Sequence, residues 1–195
     1  MADQVTRFHD LMNRIESLAL TGVPVPWFLD VDGVLNVIGP KPGGEDTWSD
    51  YQRGPVPNSQ GYAFPFVWAP ELVECLNYLV ERRLVVIRWL TTWEYDAPTH
   101  VSPALGLRVG SWVAATDQAP YLLDWWKFAA IKEFMADEGG FFIWSDDDIY
   151  RDLPTRQFVD FLDPQAGLVL QPNGRRGLCP SHLEQVVDVL ERLRT

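Results

Sequence analysis

Two tight groups of acidic residues each stand directly after an apolar run. Asp30-Val31-Asp32-Gly33 follows Trp27-Phe28-Leu29, and Asp146-Asp147-Asp148 follows Phe141-Phe142-Ile143-Trp144. Two carboxylates two residues apart repel each other unless a cation or a shared proton intervenes. Mg2+ suits such a pair, because it prefers oxygen ligands together with the oxygens of a substrate phosphate. Gly33 lets the backbone turn at once. A plain acidic turn is the bland alternative. A calcium loop of the EF-hand type is disfavoured, since Val34 and Leu35 follow where further ligands are needed. Three consecutive acids after a buried strand are costly unless something binds them. A metal is one solution, and capping of a helix by the last acid is another.

Two further groups lie between the acids. Thr91-Thr92-Trp93 closes the apolar run from Leu84 to Leu90. A hydroxyl and a turning backbone N–H there suit a phosphate oxygen, although threonine also ends strands and caps helices with no ligand at all. Lys127 stands in Asp124-Trp125-Trp126-Lys127-Phe128-Ala129-Ala130-Ile131, apolar on both sides. Such a lysine either points into a cleft and neutralises carboxylates and phosphate, or snorkels off an amphipathic helix. Lys132 has the look of an ordinary surface residue. The order of all four groups carries the argument: acid pair, threonine, lysine, acid pair.

The elements that must position these groups alternate in kind. Val5, Phe8, Met12, Ile15 and Ala19 share a face at helical spacing and predict a helix from about Asp3 to Leu20, stopped by Thr21-Gly22, Pro24 and Pro26. Buried strands are predicted at Trp27–Val31, Leu84–Leu90, Trp112–Ala115, Phe141–Trp144 and Gly167–Leu170. Helices are expected from Pro70 to Arg82 with Leu72, Leu76, Leu79 and Val80 inward, weakly over Thr99–Leu105, and from Pro120 to about Ala136. The last helix is expected to open at Ser181 with Glu184 as a capping box, burying Leu183, Val186, Val187, Leu190 and Leu193. Residues 36–68 are rich in Pro, Gly and aromatics without a clear period, and read as an irregular flap containing one hairpin. Strands alternating with helices give a parallel α/β sheet, in which ligands sit beyond the carboxyl ends of the strands.

Composition narrows the functions. The length predicts one domain, 1–195, with a sizeable core. A net charge of −11 argues against a broad nucleic-acid footprint. The two cysteines, Cys75 and Cys179, have no CxxC partner, so neither a disulfide framework nor a zinc site is expected. His9, His100 and His182 form no catalytic or ligand arrangement. The opening Met-Ala-Asp-Gln-Val is not a signal peptide and no apolar run reaches membrane length, so a cytoplasmic protein without a membrane partner is expected.

The ordered set resembles the haloacid dehalogenase (HAD) superfamily of phosphohydrolases. In detail, Trp89-Leu90-Thr91-Thr92-Trp93-Glu94, Trp126-Lys127, Trp144-Ser145-Asp146-Asp147 and Gly177-Leu178 are similar to the HAD domain of Swiss army knife RNA repair proteins. The resemblance implies a three-layer Rossmann-like α/β/α fold of about five parallel strands. It implies Asp30 as a nucleophile forming an aspartyl-phosphate, and Asp32 as general acid and base. It implies Thr91 and Lys127 as phosphate holders, with Thr92 beside them. Mg2+ would be held by Asp30, the Asp32 backbone carbonyl, and Asp146 or Asp147, with the register uncertain by one residue because Asp148 is also acidic. Dehalogenase members lack the acid matching Asp32, so its presence favours phosphate chemistry.

The flap 36–68 is too short for a large cap domain, which leaves an open site. Trp93 and Glu94 are candidate substrate contacts, and Arg175 and Arg176 in Pro172-Asn173-Gly174-Arg175-Arg176 could meet a phosphate. The expected activity is Mg2+-dependent phosphomonoester hydrolysis on an unidentified phosphorylated substrate. Three alternatives stay open: a phosphatase of nucleic-acid ends, which the net charge does not favour, a phosphotransferase, and a catalytically silent binding domain.

Overall fold

The computed structural model describes residues 2–108 and 125–194. Its centre is a parallel sheet of four strands among these residues, in the order β4-β1-β5-β6. These are β1 (Val25–Leu29), β4 (Val85–Trp89), β5 (Phe142–Ser145) and β6 (Gly167–Leu170). The strand predicted at Trp112–Ala115 lies outside the described residues. The register aligns the strand ends: Leu29 pairs with Trp89 and Ser145, and Ser145 pairs with Leu170. The residues that follow these four strands therefore share one rim.

Both faces of the sheet are covered, which is why its strands read as continuous apolar runs. Side chains alternate across a strand. Trp27 and Leu29 enter one core with Leu11 and Ile15 of α1 (Ala2–Ser17), Leu18 just past its end, Leu72 and Leu76 of α2 (Pro70–Glu81), and Leu183 and Val187 of α6 (Pro180–Arg194). Phe28, Phe142 and Trp144 enter the other core with Phe128, Ile131 and Phe134 of α4 (Trp126–Asp137). The architecture is the three-layer α/β/α arrangement expected. Among the described residues, no helix is long and apolar enough to cross a membrane.

The flap is ordered around an antiparallel hairpin, β2 (Gln52–Pro57) with β3 (Ala63–Trp68). Its turn is closed by Asn58, whose Oδ1 accepts from the backbone N–H of Gln60 and Tyr62. The hairpin is fastened to the segment after β1: Val37 N–H donates to Val67 O, and Val67 N–H donates to Asn36 Oδ1. A short π-helical turn (Ala97–Val101) and α3 (Ser102–Leu105) occupy the region of the expected weak helix.

Several local expectations are corrected. In α1 the expected Ile15, Phe8 and Met12 do face the core and Leu11 joins them, while Val5 is exposed and Ala19 lies past the helix end. Helix α4 begins at Trp126, after Trp125 with a non-helical ψ of 126°, and the Pro120–Asp124 part of the expected helix lies outside the described residues. Leu193 is exposed in the last turn of α6. The Ser181–Glu184 capping box does not form. Asp46 captures the Ser181 hydroxyl at 2.6 Å and Glu184 pairs with Arg7. The return bond to the start of α6 comes instead from His182, whose Nδ1 accepts from Cys179 N–H at 2.9 Å. Helix α5 (Leu153–Asp160) was not foreseen. Its signal was Asp152 before Leu153-Pro154, a side-chain cap onto Thr155 N–H followed by proline in the first turn.

Candidate active site

The four sequence groups meet at the common rim. Asp30 and Asp146 are the first residues past β1 and β5, and the Leu29–Ser145 pairing sets them side by side. Lys127, in the first turn of α4, reaches between them: its Nζ lies 2.6 Å from Asp30 Oδ2 and 2.6 Å from Asp146 Oδ2. All three are buried, at 7 % exposure for Asp30, 5 % for Lys127 and 0 % for Asp146. The other oxygens are also engaged. Asp30 Oδ1 accepts from Val31 N–H at 2.7 Å, and Asp146 Oδ1 accepts from Asp148 N–H at 2.9 Å. The solvated-lysine alternative for Lys127 is therefore excluded.

Asp147 completes the cluster. One oxygen from each of Asp30, Asp146 and Asp147 can be chosen so that all three lie within 4.8 Å of one another. Backbone packs tightly around Asp147. A Cβ on Gly33 would fall 2.2 Å from its carboxyl carbon, and one on Gly174 would fall 2.5 Å from its Oδ2. Gly33 also has φ +73°, so both backbone conformation and space require glycine there. Gln171 Nε2 donates to the Asp147 carbonyl at 3.1 Å.

The electrostatics of the cluster are unbalanced. Three carboxylates face one ammonium. Burial, opposed by Lys127 and reinforced by Asp30, pushes the Asp146 carboxyl up to about 7. Burial, with Asp30 and Asp148 adding to it, pushes Asp147 up to about 6. Burial alone would lower the Lys127 ammonium, but Asp30 and Asp146 outweigh it and raise its proton affinity. Raised carboxyls around a buried oxygen cluster are the signature of a site short of positive charge. Its donors are all hard oxygens, which fit a cation such as Mg2+.

Asp32 is held apart from this cluster by neutral donors. Trp93 Nε1–H donates to Asp32 Oδ2 at 2.9 Å, and Asn36 Nδ2–H donates to Oδ1 at 2.8 Å. Trp93 is itself wedged edge-on against Phe64 and Phe66 of the hairpin, with ring centroids 5.1 and 5.3 Å away. Thr91 is buried, and its Oγ1 accepts from Trp93 N–H at 3.4 Å. Thr92 is exposed beside it. Glu94 is exposed and takes a left-handed backbone, φ +47°, in the turn that Thr91 O closes through Glu94 N–H.

Sequence reasoning missed Asn36 altogether. A side-chain amide four residues past an acid carries no periodic signal, yet this one ties Asp32 to the hairpin. It named Trp93 as a candidate substrate contact but did not foresee its bond to Asp32. Arg175 and Arg176 are exposed, and their turn meets the site through the Gly174 backbone beside Asp147. Among the histidines, His182 caps α6 and His100 lies 3.2 Å from Asp96.

No curated protein and no solved structure matches the chain. One family matches residues 27–182, which take in every group described above, and it carries the description "HAD domain in Swiss Army Knife RNA repair proteins". The chain belongs to that family, and through it to the HAD superfamily.

Proposed function

We propose that this chain is a Mg2+-dependent phosphomonoesterase working through an aspartyl-phosphate on Asp30. The observation that carries the reading is Lys127 bridging Asp30 and Asp146 at 2.6 Å each, with Asp147 alongside. A cluster of two buried acids, one half-buried acid and a buried lysine is left with surplus negative charge that a divalent cation offsets. Asp30, Asp146 and Asp147, with the Asp32 backbone carbonyl, are the residues that would hold it. When bound, Mg2+ would screen the phosphate charge from the carboxylates and polarise the phosphoryl oxygens.

The chain's own groups divide the remaining work. Lys127 and the Val31 N–H fix the Asp30 carboxylate in place for in-line attack. An Asp30 oxygen bonds to phosphorus as the bond from phosphorus to the alcohol oxygen breaks. That oxygen keeps the electron pair and takes a proton from Asp32, leaving as the alcohol. A water then gives a proton to Asp32 and attacks phosphorus. The bond to Asp30 breaks, regenerating the carboxylate and releasing inorganic phosphate. Lys127, Thr91 and Thr92 hold the phosphoryl group through both steps. We read the chain as one domain, with residues 36–68 as the flap over an open site.

The family description supports a second reading, a phosphatase of nucleic-acid ends. The net charge of −11 opposes it. A screen of phosphate esters with and without Mg2+, comparing wild type with Asp30→Asn, tests the main proposal. The substitution should cut kcat by about 10⁴-fold or more on the best substrate. Equal rates for the two proteins would remove Asp30 as nucleophile. Phosphate transfer to an added alcohol in competition with water would reassign the enzyme as a phosphotransferase. Preference for a phosphorylated oligonucleotide end over free nucleotides and sugar phosphates would establish the second reading.

A further inference from the structure

A cavity of about 730 Å³ lies between the hairpin and the segments that follow β1 and β4. Its size is that of a small-molecule site. Ile38, Phe64, Pro65, Val67 and Trp93 give it an apolar lining, and Asp32 borders it. Phe64 is 42 % exposed and Ile38 52 % exposed, so two large apolar side chains stand open to water within a concavity. The wall is braced, since Phe64 and Phe66 both pack edge-on against Trp93. The hairpin tip is also tied down. Ser59 N–H and Oγ–H donate to the Asp96 carboxylate at 3.1 and 3.2 Å, and Asp96 borders the same cavity.

Charge in the cavity is one-sided. Among the described residues that line it, two are aspartates and none is Lys, Arg or His. The carboxylates that would hold a cation, Asp30, Asp146 and Asp147, are outside the lining.

We propose that this cavity receives the leaving group of the substrate, and that the leaving group is a compact, uncharged alcohol bearing a ring. The inference rests on the phosphohydrolase reading, with Asp32 as the group that protonates the departing oxygen. A proton donor must stand within hydrogen-bond reach of the atom it serves. The remainder of the leaving group therefore continues into the space that Asp32 borders. Aromatic and aliphatic walls favour a ring over a short alkyl group. Asp96, whose neighbour His100 lies outside the lining, and Asp32 once it has given up its proton repel a second phosphate or carboxylate on the leaving group, and the lining holds no Lys, Arg or His to offset them. A small monoester meets these conditions, and a nucleic-acid end with further phosphates along the chain does not.

Benzyl, ethyl and 4-carboxybenzyl phosphate, all esters of primary alcohols, separate ring and charge from leaving-group basicity. With Mg2+, wild type should show kcat/KM about 10-fold or more higher for benzyl than for ethyl phosphate, and a similar advantage over 4-carboxybenzyl phosphate. Phe64→Ala should shrink the benzyl-to-ethyl ratio to within about 3-fold. Ile38→Lys, at an exposed lining position, should shrink the benzyl-to-carboxybenzyl ratio. Equal rates on benzyl and ethyl phosphate would overturn the proposal while leaving the phosphatase reading intact. So would a 5′- or 3′-phosphorylated dinucleotide turned over faster than benzyl phosphate. If wild type hydrolyses none of these esters, the phosphatase reading fails, and calorimetry decides the cavity by itself. Benzylphosphonate should then bind about 10-fold tighter than methylphosphonate, and Phe64→Ala should erase the difference. Equal affinities would end the cavity assignment.

Discussion

Lys127 and Arg7 are each clasped by two carboxylates, yet their surroundings make them opposites. Lys127 bridges Asp30 and Asp146 in a setting where every side chain is under a tenth exposed. Arg7 bridges Asp46 at 2.8 Å and Glu184 through a two-pronged contact, with side chains 29–36 % exposed. Around Arg7, water screens the surplus negative charge, and the cluster serves to fasten α1 and the 46 loop to α6. Around Lys127, a third, half-buried acid adds to the surplus, and little water reaches Asp30, Asp146 and Lys127 themselves. The proton affinities follow suit. Burial raises Asp46, but hydrogen bonds from Ser181 and the charge of Arg7 outweigh it and hold the carboxyl below the usual range. Asp146 and Asp147 move the other way, to about 7 and 6. The same connectivity thus yields a screened structural clasp in one place and an uncompensated surplus of negative charge in the other.

The sharpest way to break this contrast is Lys127→Met. It leaves Asp30 and Asp146 buried against each other, and denaturant unfolding in chelator should show a loss of about 3–5 kcal/mol. A loss under about 1 kcal/mol would mean that water already screens the cluster. Adding Mg2+ comes next. At about 100 times its dissociation constant it should stabilise wild type by about 2.7 kcal/mol. Calorimetric melting of Asp146→Asn should show much less of this gain, and an equal gain would place the cation elsewhere.

The third test uses pH. A carboxyl that holds its proton more tightly in the folded chain makes folding less favourable as pH rises from its ordinary value towards its folded value. For Asp147 that window runs from 3.8 to about 6. In chelator, Asp147→Asn should therefore gain about 1 kcal/mol over wild type at pH 7 and nothing near pH 3.5. Asp46 has the opposite sign. Its contribution is present above 3.8 and disappears on acidification. A gain for Asp147→Asn that does not vary with pH would trace to packing between Gly33 and Gly174 instead. The smallest effect belongs to Arg7→Met. Melting should report about 1 kcal/mol lost at low salt, less at high salt, with phosphatase rates unchanged.

The sequence revealed the layers and the acid rim because both depend on local pattern. A parallel strand buried on both faces is an apolar run, and a strand end is where that run meets Asp30, Thr91 or Asp146. Lys127 was legible for the same reason, as a lone charge amid Trp125, Trp126, Phe128 and Ile131. What escaped were contacts between distant segments. Trp93 reaches Asp32 across 61 residues, and Arg7 reaches Glu184 across 177. The expected cap of α6 failed through such a contact, because Asp46 draws the Ser181 hydroxyl away from its own helix. The cavity depends on the hairpin register that pairs Val56 with Phe64 and on Asn36 bonding to Val67, and no spacing in the chain encodes either.

Pairing Leu29 with Ser145 sets more than the sheet. A slip of β5 by one residue against β1 would turn Trp144 to the wrong layer while Phe28 stayed in place, because strand side chains alternate. The same slip would pull Asp30 away from Asp146. Misfolded and inert molecules would then be one population, so a rate measurement doubles as a count of correctly threaded chains. An insertion within β5 would also have no route to partial success, because it would part Asp30 from Asp146 and unseat the core together.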